Sequence, residues 1–481
     1  MTVRSIVQTR NLGYLETAMV RGLRSVPSLA AAAFGLAIFG FLGLLIAHGM
    51  ALIAVALAII PLLVLGLTTL AASNRSILLF SGLALGMAGS TLQNPLAITG
   101  SVSVYLADLV LMLTLAAWAT ARLLGLTSPP PGRDRPAVLD WVFLPFALIM
   151  FVDTVRGNNA YGASLLGQPL RFIIYAGIAL AISELTAREV YRGLVIVFYA
   201  GTVIQFLSGL VYLATGTSQT RAEELSTGGM RYLALTTSLY LTGAFFLALL
   251  NVGIDPERRR RLIHVGVALL ALVGIILSFG RGTFAGAALG AVVLFVAFPR
   301  VRRTLLWFAP LLAIGLAVVS LTAPSETQTV STTLTSRVTR PVATDPTVEW
   351  RKKANHMVWQ QFRQDPFFGI GFGKGETFSI QGITYVIPQD PHNDYVWLLA
   401  GGGILALTSF LTLIAVAVRD AVRRLWHTRD SHERLLIWWS LVTLSAFLLN
   451  AIAEPLMSEP TILLTIWILL LLPSVVPLRR A

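Results

Sequence analysis

PQDPHNDYVWLLAGGG, residues 388–403, marks the point where a long polar loop ends and a hydrophobic segment begins. His392 stands at this junction, and the apolar residues that follow continue for the length of a membrane-spanning helix. We therefore expect His392 to lie where water meets the membrane. We interpret most of the remaining chain as scaffold that brings positive charge to this histidine.

The composition is typical of a membrane protein with many spans. The chain has 481 residues, of which 56% are hydrophobic and 12% charged, whereas soluble proteins carry about 25% charged residues. Its mean hydropathy is +0.76. The chain contains no cysteine, which excludes disulfides, thiolate catalysis and metal sites built from cysteine.

Hydrophobic segments of about 20 residues, the length that crosses a bilayer, recur along the whole chain. We predict an all-α polytopic membrane protein with 12–14 transmembrane helices. The candidate segments are 28–48, 50–71, 76–92, 102–121, 139–155, 170–186, 191–213, 231–251, 262–278, 283–299, 304–323, 394–418, 435–452 and 461–477. They divide the chain into an N-terminal transmembrane bundle over 1–323, a loop over about 324–393 and C-terminal transmembrane helices over 394–481.

Basic residues set the predicted orientation. The chain has 36 Lys and Arg against 23 Asp and Glu, a net charge of +13. With the N-terminus inside, most basic residues fall in cytoplasmic connections, as the positive-inside rule requires. Both termini are then cytoplasmic, and the 324–393 loop is extracytoplasmic. The arginines left in short outer connections are Arg156, Arg171, Arg221, Arg231 and Arg281.

The long outer loop contains two recognisable elements. Asp345-Pro346 reads as the start of an amphipathic helix, because Asp is a good N-cap and Pro a good first helical residue. We expect this helix to lie at the outer membrane interface and to end at Asp365-Pro366. The glycine-rich residues 367–375, FFGIGFGKG, form a predicted turn that can bring backbone N–H groups close to a ligand.

Three motifs carry a resemblance to a known family. A predicted helix break has the sequence SFGRG (residues 278–282), the outer loop contains DPFFGIGFGKGETF (365–378), and PHNDYVWLLAGGGILAL (391–407) follows. In this order they resemble the superfamily of O-antigen ligases and O-antigen or exopolysaccharide polymerases of bacterial envelopes. The chain departs from that pattern at Phe279, where a small residue is usual, and at Gly402, where a polar residue is common.

The resemblance implies an enzyme of the bacterial inner membrane. It would be a glycosyltransferase with a GT-C-like helical fold that needs neither a metal nor another cofactor. The implied donor is a glycan on undecaprenyl pyrophosphate, presented at the outer leaflet among the membrane lipids. The implied acceptor is a sugar hydroxyl, either on lipid A core or on a growing glycan.

The outer arginines fit the chemistry of such a donor. The leaving lipid pyrophosphate carries several negative charges, and arginine forks at a low-dielectric interface can bind it and stabilise charge that develops in the transition state. We assign catalytic roles of this kind to Arg231 and Arg281, with Arg171 and Arg156 as further substrate-binding residues. No DxD motif or acidic cluster on the outer side provides a divalent metal site.

His392 is the predicted base for the acceptor hydroxyl, because histidine changes charge near neutral pH. A cationic His392 that grips pyrophosphate is the alternative role. Either Asp390 or Asp394 could orient its ring. The remaining candidates are Lys374, Asn393 and Asp394 for substrate binding, Glu454 and Glu459 for the acceptor site, and Asp108 within its span.

Several functions remain compatible with these residues. A ligase, a polymerase and a protein O-oligosaccharyltransferase would share the donor and differ in the acceptor. A lipid-linked glycan flippase or secondary transporter is the alternative of another class, and it should show internal repeats and ionisable residues near the membrane midplane. The sequence shows no repeat and gathers its unusual charge on one face, which favours an enzyme.

Overall fold

A computed structural model describes much of the second of two compact units, Leu70–Ala481. The described residues are 80, 96–99, 102–104, 106–123, 137–161, 175–178, 181–182, 185–215, 233, 235–278, 280–322, 346–380, 383–388, 392–454, 456–457 and 460–476. They are mostly helical, so the predicted all-α class is confirmed. The predicted spans 28–48 and 50–71, and most of 76–92 and 170–186, lie outside these residues.

The described elements are four strands and eleven α-helices. The strands are β1 (Leu96–Thr99), β2 (Val102–Val104), β3 (Gly375–Ile380) and β4 (Ile383–Pro388). The helices are α1 (Leu106–Leu123), α2 (Ala137–Tyr161), α3 (Ala187–Thr215), α4 (Leu235–Ile254), α5 (Arg258–Leu277), α6 (Arg281–Ala297), α7 (Pro299–Thr322), α8 (Pro346–Phe362), α9 (Asp394–His427), α10 (Ser431–Asn450) and α11 (Pro460–Leu471). A 3-10 turn, Leu472–Val475, follows α11.

Four of the described helices are long and apolar enough to cross a membrane. They are Ala187–Val211, Thr237–Ile254, Arg258–Leu277 and Asp394–His427. Each overlaps a span predicted from the sequence, and the chain is a polytopic membrane protein. The total of 12–14 spans stays a prediction.

Helix α4 occupies the centre of the described bundle. It is apolar all round, as expected of a helix that is buried on every side, and it contacts α3, α5, α6, α7 and α10. The largest buried side chain against it is Trp439 of α10, whose indole N–H donates to the Gly243 carbonyl of α4 over 2.8 Å. This bond fixes the relative position of the two helices.

The break predicted at 278–282 is present. Helix α5 ends at Leu277 with Ser278 as its C-cap, and α6 begins at Arg281 with Gly280 as its N-cap. The Ser278 hydroxyl donates to the Ile275 carbonyl over 2.6 Å, which satisfies one of the carbonyl groups that the end of a helix leaves open.

The predicted 324–393 loop contains the expected helix and a hairpin that we did not predict. Helix α8 begins at Pro346, as expected, and ends at Phe362, shortly before the predicted stop at Asp365-Pro366. It buries Ala354 and Val358 against Ala400 of α9. The hairpin pairs β3 with β4 in antiparallel register from Gly375↔Pro388 to Ile380↔Ile383. Its β-branched run ITYVIP is a strand signal.

Helix α9 continues to His427, beyond the predicted end at 418. Its last turns are amphipathic rather than apolar, so hydropathy alone ended the prediction too early. Ala421 and Arg424 are buried there. The Arg424 guanidinium bonds the Asp420 carboxylate over 2.7 Å, an i,i+4 pair of the kind that supports a helix.

Gly286 allows α6 and α10 to pack closely, and its substitution should separate them. A Cβ at this position would lie 2.6 Å from Asn450 Nδ2 and 3.0 Å from the Ala446 carbonyl oxygen. We expect Gly286→Val to lower the free energy of unfolding by about 1–3 kcal/mol, the usual effect of overpacking. Thermal unfolding of the purified protein measures this. Gly266→Val is the control, since a Cβ there meets nothing within 4 Å. Equal losses in both variants would contradict this packing.

Candidate functional site

His392 lies immediately before α9 in an unusual backbone conformation. Its φ is 52°, the one positive value among the described residues other than glycine. Its ring meets Trp350 of α8 edge to face, with 4.6 Å between the ring centroids. The left-handed region is costly for a residue with a Cβ and is found where the surroundings hold it, often at functional sites. The fold therefore holds this histidine in a fixed place.

The two residues after His392 attach α9 to its surroundings. Asn393 is the N-cap, and its Oδ1 accepts from the backbone N–H groups of Tyr395 and Val396. The buried Asp394 carboxylate accepts from the N–H groups of Leu456 and Met457 over 3.0–3.3 Å. Both side chains are predicted substrate contacts, and in the structure both accept hydrogen bonds from backbone N–H groups at or near the start of α9. Asp390 lies outside the described residues.

Asp394 also joins α9 to the turn after α10. Its backbone N–H donates to the Ala451 carbonyl over 2.9 Å. The neighbouring Tyr395 hydroxyl donates to the Leu448 carbonyl over 2.9 Å. The start of α9 is thereby fixed against residues 448–457, which we call the α10 turn.

Arg281 approaches the same turn from α6. It is the first residue of that helix, and Gly282 lies directly against the α10 turn. A Cβ on Gly282 would be 2.7 Å from Asn450 Oδ1 and 3.9 Å from Glu454 Cγ. The sequence left open whether the elements of His392 and Arg281 meet, since 111 residues separate them. Both elements contact the α10 turn.

Arg351 is a site residue that the sequence analysis missed. Its Nη2 lies 2.7 Å from Glu454 Oε1, and the two side chains are 23% and 6% exposed. Its Nε is buried without a hydrogen-bond partner among the described residues. Arg351 follows Trp350, the residue that packs on His392. Only the fold brings Arg351 to a glutamate 103 residues away.

Charged groups of both signs surround the α10 turn. Arg351 reaches it from α8, and Arg281 begins α6 beside it. The carboxylates are those of Glu454, which pairs with Arg351, and Asp394, which accepts from Leu456 and Met457. The start of α6 adds the partial positive charge of a helix N-terminus. Arginine forks and a helix N-terminus are groups that can bind an anion such as a pyrophosphate.

The glycine turn, which we define as residues 365–375, is joined to α9 by an exchange of backbone hydrogen bonds. Helix α9 is kinked at Gly403, where φ is 66° and ψ is −164°. The carbonyls of Ala400 and Gly401 accept from Ile370 and Gly371 of the turn, both over 2.9 Å.

Helix α9 also donates hydrogen bonds to the glycine turn. The amides of Ile404 and Leu405, after the kink, donate to Pro366 and Phe367 over 2.9 and 3.4 Å. In a regular helix these two amides would bond Ala400 and Gly401. The Ile370 and Gly371 amides, which we expected could face a ligand, are therefore used within the protein.

The other predicted residues lie in several places. Lys374 Nζ is 3.4 Å from Gln364 Oε1. Arg156 of α2 bonds Asp153 and the glycine turn. Asp108 belongs to α1, but its side chain is not among those described. Outside the described residues are Arg171, Arg221, Arg231 and Glu459.

Comparison with known proteins gives the family of the central segment. Residues 266–411 match the model of a family described as O-antigen ligase. The resemblance read from the sequence is thus confirmed, and the match covers Arg281, Arg351, the glycine turn and His392. A search of curated proteins found no match to the chain.

Proposed function

We propose that this chain, in which residues 266–411 match the O-antigen ligase family, is a membrane glycosyltransferase. It moves a glycan from undecaprenyl pyrophosphate to a sugar hydroxyl at the outer face of the inner membrane. The observation that carries this proposal is the meeting of three elements at the α10 turn. These are the start of α6 with Arg281, helix α8 with Arg351 and the start of α9 with His392.

The reaction exchanges one bond for another at the anomeric carbon of the donor glycan. The acceptor hydroxyl oxygen forms a bond to that carbon, and the bond from the carbon to the pyrophosphate oxygen breaks. Undecaprenyl pyrophosphate leaves, and the proton of the hydroxyl passes to the imidazole of His392. In the alternative role, a protonated His392 donates to the departing pyrophosphate and another base takes the proton.

The arginines act on the leaving group. Negative charge grows on the pyrophosphate as the glycosidic bond breaks, and fixed guanidinium groups stabilise it most where water is scarce. Arg281 and Arg351 supply this charge at the α10 turn. The Arg351 Nε, which has no hydrogen-bond partner among the described residues, favours an acceptor oxygen from a ligand. Arg231 and Arg171 are proposed to join them, as the positive-inside analysis places both on the outer side.

The proposed orientation follows from the distribution of charge. Both termini are cytoplasmic, and α8, the glycine turn and His392 face the extracytoplasmic side. Support comes from the basic residues at the opposite ends of the described helices, such as Arg258–Arg261 at the start of α5 and Arg419, Arg423 and Arg424 near the end of α9.

Envelope glycans of a strain that lacks this protein test the function and separate its variants. Lipid-linked full-length chains with bare lipid A core would indicate a ligase, and single unpolymerised units on the core would indicate a polymerase. Unmodified protein acceptors would indicate an O-oligosaccharyltransferase. Donor that accumulates on the cytoplasmic leaflet would contradict the proposal and identify a flippase. Complementation with the wild-type chain must restore the normal pattern.

A further inference from the structure

The Arg156 guanidinium contacts four groups of the protein itself. Its Nη1 lies 3.0 Å from Asp153 Oδ1 and 3.1 Å from the Phe368 carbonyl oxygen. Its Nη2 lies 3.1 Å from the Gly369 carbonyl oxygen and 3.6 Å from Asp365 Oδ2. The guanidinium therefore joins α2 to the glycine turn, which is more than 200 residues away in sequence.

We propose that Arg156 is a positioning residue that fixes the glycine turn against α2. This role rests on the proposed function, because the turn connects α8, with Trp350 and Arg351, to the segment that leads to His392. We call the contact of Arg156 with Asp153, Asp365 and the two carbonyls the Arg156 latch.

One face of α2 is shaped to receive the turn. The Asp153 carbonyl accepts from the Phe372 amide over 3.1 Å. One turn further along the helix, a Cβ on Gly157 would lie 1.7 Å from the Phe372 carbonyl oxygen, so only glycine fits there. After another turn, the Tyr161 hydroxyl donates to the Ile370 carbonyl over 3.2 Å. Positions spaced by four residues share one face of a helix, so this face contacts the turn along three helical turns.

The charge around Arg156 argues against a direct role in binding pyrophosphate. Two carboxylates, Asp153 and Asp365, pair with the one guanidinium. The formal charge of the group is therefore negative, and a nearby anion would be repelled. Asp153 and Arg156 lie outside the segment 266–411 that matches the family, whereas Asp365, Phe368 and Gly369 lie within it.

Proteolysis of the purified protein without substrates tests the latch. Lysines occur only at Lys352, Lys353 and Lys374, so a lysine-specific protease reports opening of the glycine turn by cleavage after Lys374. Cleavage follows the population of the open form when opening is fast. We expect Arg156→Gln to be cleaved there about tenfold faster than the wild type, a change equal to about 1.4 kcal/mol in the opening equilibrium.

Two further variants separate positioning from substrate binding. Gly157→Ala leaves the guanidinium in place but displaces Phe372, and it should also accelerate cleavage after Lys374. Arg156→Lys keeps the charge but cannot bond both carbonyls with a planar fork, and it should resemble Arg156→Gln. Arg260→Gln is the control for loss of an exposed arginine paired with a carboxylate, since Arg260 pairs with Glu257 and is 67% exposed.

The outcomes distinguish this proposal from the proposed function. Unchanged cleavage of Arg156→Gln with lost glycan transfer would overturn the latch and make Arg156 a direct donor contact. Unchanged cleavage and unchanged transfer would also overturn it. Faster cleavage in a protein whose wild type transfers no glycan would support the latch and reject the proposed function.

Discussion

Replacing His392 with glycine is expected to lower glycan transfer by about 10²–10⁴-fold without a matching loss of stability, because the imidazole is the acid–base group of the proposed reaction. Glycine adopts a φ of 52° without strain. Relief of the left-handed backbone strain offsets the lost contact with Trp350, so we expect the free energy of unfolding to stay within about 1 kcal/mol of the wild type.

His392→Ala is the matched comparison. It removes the same imidazole but keeps a Cβ in the left-handed conformation, which costs about 1–2 kcal/mol relative to glycine. Both variants should be inactive, and the glycine variant should unfold at the higher temperature. Thermal unfolding and transfer of a labelled lipid-linked glycan, measured on the same preparations, provide the two readouts. Full transfer by either variant would remove His392 from the site.

The pH profile of the wild type separates the two roles of His392. A base must be neutral, so transfer would rise with pH as the imidazole loses its proton. A cation that grips pyrophosphate must be protonated, so transfer would fall over the same range. The profile of the His392→Asn variant should lack this change in either case, because asparagine tolerates the backbone conformation and does not titrate.

Breaking the Arg351–Glu454 pair is expected to have the second large effect. Glu454→Leu leaves a partly buried guanidinium without its carboxylate, and removal of one member of a buried pair costs about 3 kcal/mol. We expect a lower unfolding temperature and strongly reduced transfer. The control is Glu349→Gln on α8, the helix that carries Arg351. This variant breaks a pair with Lys353 in which both side chains are over 40% exposed. Exposed pairs contribute about 0–1 kcal/mol.

The double variant Arg351→Met with Glu454→Leu separates stability from catalysis. Replacing both charges with apolar groups removes the unpaired charge, and such replacements are often neutral or stabilising. Stability should therefore return towards that of the wild type, while transfer stays low because the site lacks the Arg351 guanidinium. Recovered transfer in the double variant would show that the pair is structural only.

Local signals in the sequence predicted the local features of the site. Asp345-Pro346 gave the start of α8, and the glycines and polar residues of SFGRG gave the break between α5 and α6. Both depend on backbone preferences that act within a few residues. The junction at His392 was found in the same way, because polarity changes sharply there.

Contacts between distant residues could not be predicted in this way. Arg351 and Arg363 are both basic residues of the predicted 324–393 loop, and only the packing of α8 on α9 brings the first of them to Glu454. Arg156 is a sequence candidate because the predicted topology puts it in a short outer connection. Hydropathy cannot show that Arg156 belongs to α2 or that two carboxylates and two carbonyls surround it. The β3–β4 hairpin was not predicted because each strand has only six residues and both lie within a segment that we interpreted as one long loop.

The hydrogen bonds that the glycine turn and α9 exchange at Gly403 affect how the proposed substrates would reach the site. Four amides, those of Ile370, Gly371, Ile404 and Leu405, are satisfied only while loop and helix stay together. Away from water, each amide left unsatisfied costs about 1–3 kcal/mol. A swinging movement of this segment away from α9 would expose all four at once. In the proposed reaction, the donor lipid and the acceptor would therefore enter beside a segment that stays closed, because its hydrogen bonds with α9 make it part of the wall that this helix forms.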